Sequence, residues 1–484
     1  MFPVCVSGTG ALTAAVCLLL SRFSSSSPPD PVPLIASYFG TKTRYEEVNP
    51  HLLLDPLSVN RSVLKPPDTE RCSPVHITAV IRHGSRFPTV KNIRRIQQLS
   101  ELLREASGGS RGSGGSGDWL QDIKSRWVTW YTEDMDGQLV EKGKEDLRLL
   151  ARRLSALFPS LLSEENVRKR RISFLSSSKH RCVSSVEAFQ EGLQHLGHQE
   201  VQYSHQLDDQ LMRFFEHCRG YVDGVEKNRT ALAEVEKFKH GEEMEGVRKR
   251  MAERLGLPHH DLTPAGAPDA NAKSCDDDGP DDVIVDLVEA AFFLCSYELS
   301  IKSLHSPWCF LFDQRDAQVL EYKSDLKQYW KRSHGHVING LSSCPLFHHV
   351  FRTLDKAGRP RRSSDASPEP ASVLIGHAET ILPLLSLLGL HKDETPPTAA
   401  NYQSQHGRSF RTSSIVPYAA NVVFVLYDCE RGARLQLLIN ETPVRFPTLP
   451  DEDAPLYRDV RAAYRHLLDG CTEHRGCDGR HTEL

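Results

Sequence analysis

Apolar and polar positions along the chain switch between two periods. Three short runs are rich in apolar residues: 77–81, which is mostly β-branched, 171–175 and 372–375. Runs of this length and composition predict buried strands. Each ends in a polar turn, and each turn leads into residues with helical spacing. After Pro88, Ile93, Ile96, Leu99, Leu102 and Leu103 predict a helix over 91–106. After Ser176–Cys182 the pattern predicts a helix over 183–193, and after Gly376–Thr380 one over 381–390. Leu139-Val140-Glu141-Lys142-Gly143 opens a further helix through Leu147, Leu150, Leu154 and Leu157, and 118–130 reads as another. Residues 421–427 and 435–439, with Arg431-Gly432 near the turn, predict a β-hairpin.

Between 200 and 340 strand signals fade and helical patterns dominate, at 231–255, 283–298 and 318–330. Residues 21–45 are rich in serine and proline and read as a flexible lead-in. Ser107–Gly117 is nearly all glycine and serine, a surface loop. His259–Asp282 is a loop rich in Pro, Gly and Asp. The expected fold is α/β: a mixed, mostly parallel sheet flanked by helices, with a mainly α-helical inserted cap domain. The expected divisions are a leader at 1–26, a core in two parts at 45–199 and 341–470, the helical insertion at 200–340, and a tail at 471–484.

The first strand runs into Arg82-His83-Gly84-Ser85-Arg86-Phe87-Pro88. An imidazole held between two guanidinium groups suits phosphate, because each guanidinium can bind two oxygens and never loses its charge. Chance would give Arg-His-Gly-x-Arg-x-Pro in roughly one chain in several thousand. Arg181 follows the second strand at the start of a helix, where free backbone N–H groups favour anions. His377 and Glu379 follow the third. In open α/β sheets ligands sit at the carboxyl ends of strands, so these three turns can converge. On this reading His83 is the nucleophile and Glu379 the proton donor. Arg82, Arg86, Arg181 and His377 hold the phosphate oxygens. Lys179 and Lys331 are candidate substrate contacts. Lys323, Lys327, Lys331 and Arg332 lie at helical spacings, where a solvated face is the default reading and a face toward an anionic substrate the alternative.

The motif resembles the signature of the histidine acid phosphatases, a branch of the phosphoglycerate-mutase-like superfamily. Phe214–Cys218, Ser306–Cys309, Asp325–Arg332 and Gly376–Thr380 look like the multiple inositol-polyphosphate phosphatases of that family. Ser85 and Phe87 depart from the usual threonine and tyrosine. The resemblance implies a phosphohistidine intermediate, a small polyphosphorylated substrate such as a highly phosphorylated inositol, and activity on 2,3-bisphosphoglycerate. A broad acid phosphatase and a non-catalytic anion-binding protein on the same fold are the alternatives.

Composition adds the setting. The 484 residues are 39% hydrophobic and 25% charged, with a net charge of -4, which gives no reason to expect a nucleic-acid partner. Gly10–Leu20 is apolar and too short to span a bilayer, so it reads as part of a signal peptide, and no later run predicts a membrane span. Of twelve cysteines, Cys5 and Cys17 fall in the leader, and the even remainder suggests disulfides. Cys471 and Cys477 are close enough to clip a local loop. With His474 and His481 they also pose a zinc site as the alternative. Asn60, Asn228 and Asn440 stand in glycosylation triplets. His481-Thr482-Glu483-Leu484 is similar to a KDEL-type signal, so the expected partner is a retrieval receptor and the expected place the endoplasmic reticulum lumen, with some protein secreted or at the surface. Asp276-Asp277-Asp278 lacks EF-hand spacing, and HExxH and P-loop patterns are absent. Neither a metal nor a cofactor is expected.

Overall fold

The three runs do pair into one sheet. The computed structural model describes residues 34–66, 71–107, 118–194, 203–258, 287–302, 306–359, 369–471 and 477. Its strands are β1 (Cys72–Arg82), β2 (Ile172–Ser176), β3 (Gln206–Leu207), β4 (Ala371–Gly376), β5 (Asn421–Cys429), β6 (Arg434–Ile439) and β7 (Thr442–Val444). They lie in the order β3-β2-β4-β1-β5-β6-β7. β1, β4, β2 and β3 are parallel, while β5 to β7 are antiparallel. The sheet is therefore mixed, with the signature strand at its centre.

Alternation along β1 sends Ile77, Ala79 and Ile81 to one face and Val80 to the other. The first face packs on α1 (Glu141–Leu157) and α2 (His180–Leu193) through Leu147, Leu150, Val186 and Phe189. The second packs on α3 (Cys344–Ala357) and α4 (Ala378–Leu387) through Phe347, Phe351, Ile381 and Leu382. A third apolar cluster lies among helices: α5 (Val90–Ser107), α6 (Glu242–Leu255), α7 (Leu287–Lys302) and α8 (Gln314–Arg332). No helix among the described residues is long and apolar enough to cross a membrane.

Several expectations need correction. Of the lead-in, residues 34–45 are packed against the rest of the chain: Ile35, Ala36 and Phe39 are buried in the helical cluster, and short turns run through Lys42. Serine and proline content masked this small apolar group. The helix expected at 118–130 ends at Arg126, after which Trp127 is extended. The 231–255 pattern breaks at His240-Gly241, where an extended Gly241 starts a second helix. Cys471 and Cys477 do not pair locally. The bridges are Cys72–Cys429, Cys218–Cys477, Cys295–Cys309 and Cys344–Cys471, so both tail cysteines are tied to the core and neither can hold zinc. Cys182 is free and buried.

Asn440 is buried, its amide donates to the Ser414 and Ile415 carbonyls, and its oxygen accepts from the Asn421 N–H. A glycan has no room there in the folded protein. Asn60 and Asn228 are exposed. The leader, the 108–117 and 259–286 segments with Cys275 and the Asp276–Asp278 run, and the last seven residues lie outside the described residues.

Candidate active site

Strand register brings the three turns together. Arg82 pairs with Gly376, and Ile375 with Ser176, so β1, β4 and β2 end level with one another. The His83 N–H donates to the Gly376 carbonyl at 3.0 Å, and the Ser177 N–H to Ile375 at 3.2 Å. The rings of His83 and His377 then lie 5.6 Å apart.

Glycine is required where the signature turn meets α1. A Cβ on Gly84 would stand 2.1 Å from the Gly143 carbonyl oxygen, and one on Gly143 would stand 2.1 Å from the Ser85 oxygen. Behind this contact, Asp146 accepts from the Ser85 N–H at 3.3 Å and from its hydroxyl at 3.0 Å, and Lys142 pairs with the same carboxylate. The Ser85 hydroxyl thus helps tie the signature turn to α1. Phe87 packs edge-on against Trp130 at 6.1 Å.

His83 is buried, and Nδ1 lies 2.9 Å from the Gly84 carbonyl oxygen. A carbonyl only accepts, so Nδ1 carries the proton and Nε2 keeps its lone pair. Burial, then Arg181, Arg82, His377 and Arg86, hold the ring well below the usual imidazole range. The ring is therefore neutral even in mild acid, with a lone pair on Nε2.

Arg82 donates through Nη1 to the Thr41 and Val416 carbonyls, both at 2.6 Å. Arg86 donates to the Phe87 carbonyl at 2.7 Å. The Nη2 of Arg181 donates to His377 Nδ1 at 3.3 Å, which leaves the Nε2 proton of His377 to face Ser177 Oγ at 2.9 Å. His377 is neutral too, lowered to about 3 by burial and by Arg181. Both its nitrogens are engaged within the protein, so a phosphate oxygen would reach it by displacing one partner. The Nε atoms of Arg82, Arg86 and Arg181 are all buried without a hydrogen-bond partner. Three orphaned donors on neighbouring cations form a seat for a compact, multiply charged oxyanion.

Burial pushes Glu379 upward, but Arg332, His377, a backbone hydrogen bond and Arg82 outweigh it and hold the carboxyl at about 2. Arg332 is itself buried. It donates to Glu226 at 2.8 Å and lies 5.2 and 5.3 Å from the ring centres of Phe215 and Tyr221. The basic side of α8 is thus no simple solvated face. Lys323 is buried near Glu289 at 3.7 Å, and Lys331 is paired with Glu226. Lys327 reaches solvent, yet burial among its neighbours lowers its pKa, as for a side chain lining a cleft. Lys179 is exposed at the entry to α2, where its carbonyl accepts from the Cys182 and Val183 N–H groups, and no side-chain hydrogen bond or ion pair among the described residues ties it to the cluster.

Lys42 was invisible in the lead-in. Burial lowers it to about 7, against Glu289, and it senses Arg86, Lys327 and Arg82. Ile35, Tyr38 and Phe39 were the available signal that this segment packs. Cys182 donates to the Gly376 carbonyl at 3.3 Å, and burial pushes its thiol up to about 11, so it packs rather than reacts. No group of three or more His, Cys, Asp or Glu side chains among the described residues is arranged to hold a metal ion.

Residues 75–440 match the family model of the histidine phosphatase superfamily (branch 2). Multiple inositol polyphosphate phosphatase 1 of Homo sapiens is 43% identical over 492 residues, covering 98% of this chain and 95% of that protein. Its namesake from Gallus gallus is also 43% identical, covering 92% of this chain and 93% of its own length. Among solved structures, the Bifidobacterium longum multiple inositol polyphosphate phosphatase in complex with inositol hexasulfate shares the fold at 15% identity. Its TM-score is 0.63, with 89% of this chain and 97% of that one covered. The phytase from D. castellii gives 0.69 at 15% identity, covering 96% and 92%.

Proposed function

The chain belongs to branch 2 of the histidine phosphatase superfamily, and on that premise we propose that it removes phosphates from highly phosphorylated inositols through a phosphohistidine. The observation that carries the mechanism is the neutral His83, its Nδ1 tied to a carbonyl, set among three guanidinium groups with orphaned Nε donors. The observation that favours a polyphosphate is the further set of cations beside the first seat. Lys42, Lys323, Lys327 and Arg95 surround Glu289 there.

The reaction runs in two displacements. Nε2 of His83 attacks phosphorus, the N–P bond forms and the ester O–P bond breaks. Glu379 gives its proton to the leaving alkoxide. Water then attacks the phosphohistidine, its proton passes to the Glu379 carboxylate, and the N–P bond breaks. In the empty site Glu379 is ionised, so the first step needs a proton that arrives with the substrate. A phosphate ester's second pKa is about 6, so in mild acid it brings one. Its charge also occupies the arginines that hold Glu379 down. The arginines supply the transition-state charge stabilisation that a metal ion would otherwise give, and so many cations repel a metal.

2,3-Bisphosphoglycerate, a phosphate monoester with adjacent anionic groups, is the second substrate of this proposal. The setting we propose is the endoplasmic reticulum lumen, with a KDEL-type receptor engaging the C-terminus. Four disulfides and the exposed Asn60 and Asn228, whose side-chain oxygens accept from the Ser62 and Thr230 hydroxyls, support a secretory route.

The test is incubation with inositol hexakisphosphate in chelator, with products separated chromatographically. Wild type should release lower inositol phosphates, His83→Ala none, and Glu379→Gln at a rate reduced roughly 100-fold or more. Phosphate binding without turnover by folded wild type would instead favour an anion-binding protein. Equal turnover of unrelated monoesters would favour a broad acid phosphatase.

A further inference from the structure

Tyr418 lies beside the phosphate seat, and the reading above gives it no role. It follows Pro417 in the irregular segment before β5 and is fully buried. Its ring centre is 4.7 Å from the Arg82 guanidinium carbon and 6.2 Å from the centre of the His83 ring. Its hydroxyl is buried and has no hydrogen-bond partner within the protein. The same side chain lies within electrostatic range of both Arg82 and Arg86, the two cations that bracket His83.

The backbone is built to hold it there. The Tyr418 N–H donates to the Thr43 carbonyl at 3.0 Å, and the next N–H, of Ala419, to the His83 carbonyl at 3.1 Å. Arg82 N–H in turn donates to the Ala420 carbonyl at 2.7 Å. Ala419 has φ +57°, a left-handed conformation that a residue with a Cβ rarely adopts. Such strain persists only where surrounding contacts over-determine it, and it collects at functional sites. Here the strained residue links the carbonyl of the nucleophile to the tyrosine beside it.

A buried hydroxyl without a partner is costly, and both neighbouring guanidinium groups can only donate, so neither can accept its proton. The acceptor that fits is a negatively charged oxygen held by those same arginines. We propose that the Tyr418 hydroxyl donates a hydrogen bond to an oxygen of the phosphoryl group at His83, as a further catalytic residue of the site. The proposal rests on the phosphatase reading of that site. It adds a neutral donor to a seat otherwise made of cations. Such a donor can follow the charge of the transferring group without the repulsion that another cation would meet from Arg82 and Arg86.

Tyr418→Phe tests this cleanly, because it keeps the ring on Arg82 and removes only the oxygen. Thermal melting, calorimetric titration with inorganic phosphate, and kcat/KM for inositol hexakisphosphate are compared with wild type. The expected result is a melting temperature unchanged or raised, with phosphate affinity and kcat/KM each lowered roughly 10-fold. Unchanged phosphate affinity and kcat/KM would overturn the proposal. So would losses that accompany a fall in melting temperature, which would mark the hydroxyl as structural. If wild type binds phosphate but leaves inositol hexakisphosphate intact, the substrate reading fails, and the ratio of phosphate affinities alone decides the role of Tyr418.

Discussion

At the scale of single residues, neighbours fix each charge state. His83 and His377 adopt opposite tautomers because one faces a carbonyl and the other a guanidinium. Lys42 makes the clearest pH prediction. Held at about 7, it is charged below that pH and neutral above it. Attraction for a second phosphate is therefore present in mild acid and lost as the pH rises through 7. KM for inositol hexakisphosphate should rise across that interval in wild type. In Lys42→Met it should already be raised roughly 10-fold at pH 6, with a flatter pH dependence. Steady-state kinetics from pH 5.5 to pH 8.5 check this, and a KM unchanged by the substitution would remove Lys42 from the substrate cleft.

At the scale of elements, the three strand–turn–helix units do the positioning, and the approach of the signature turn to α1 sets their spacing. Gly143→Ala would place a methyl 2.1 Å from the Ser85 oxygen. The turn must move, at a cost of about 1–3 kcal/mol, and activity should fall with it. Urea unfolding alongside kinetics reads both. These units were legible in the sequence because strand, polar turn and amphipathic helix are each local patterns, and because Arg82, His83, Arg181, His377 and Glu379 all stand where such patterns change. Lys42 and Tyr418 were not legible. Both lie on irregular segments brought to the site by long-range backbone bonds, such as Tyr418 N–H to Thr43. The basic side of α8 was misjudged for a related reason: periodicity shows that four cations share a face, but not that Glu226, Phe215 and Tyr221 cover part of it.

At the scale of the molecule, one sheet covered on both faces carries the site at the carboxyl ends of its central strands, and a helical cluster supplies Arg95, Lys323 and Lys327 beside it. Disulfides bind the distant parts of the chain. Cys72–Cys429 closes 357 residues, Cys218–Cys477 closes 259 and Cys344–Cys471 closes 127. Sequence spacing pointed to a Cys471–Cys477 clip because proximity along the chain was the only distance available there. Replacing Cys344 and Cys471 together by alanine should lower stability by about 2–5 kcal/mol, seen as an earlier unfolding transition in denaturant. The residues proposed as catalytic lie on other segments, so kcat/KM of the folded variant should stay near wild type.

The central claim is that His83 carries the phosphoryl group. The direct measurement is mass spectrometry of enzyme quenched in alkali, where phosphohistidine survives, during turnover of inositol hexakisphosphate. The peptide containing His83 should bear one phosphate in wild type and none in His83→Ala. Steady turnover by wild type with His83 unmodified, or with the phosphate on another side chain, would contradict the account.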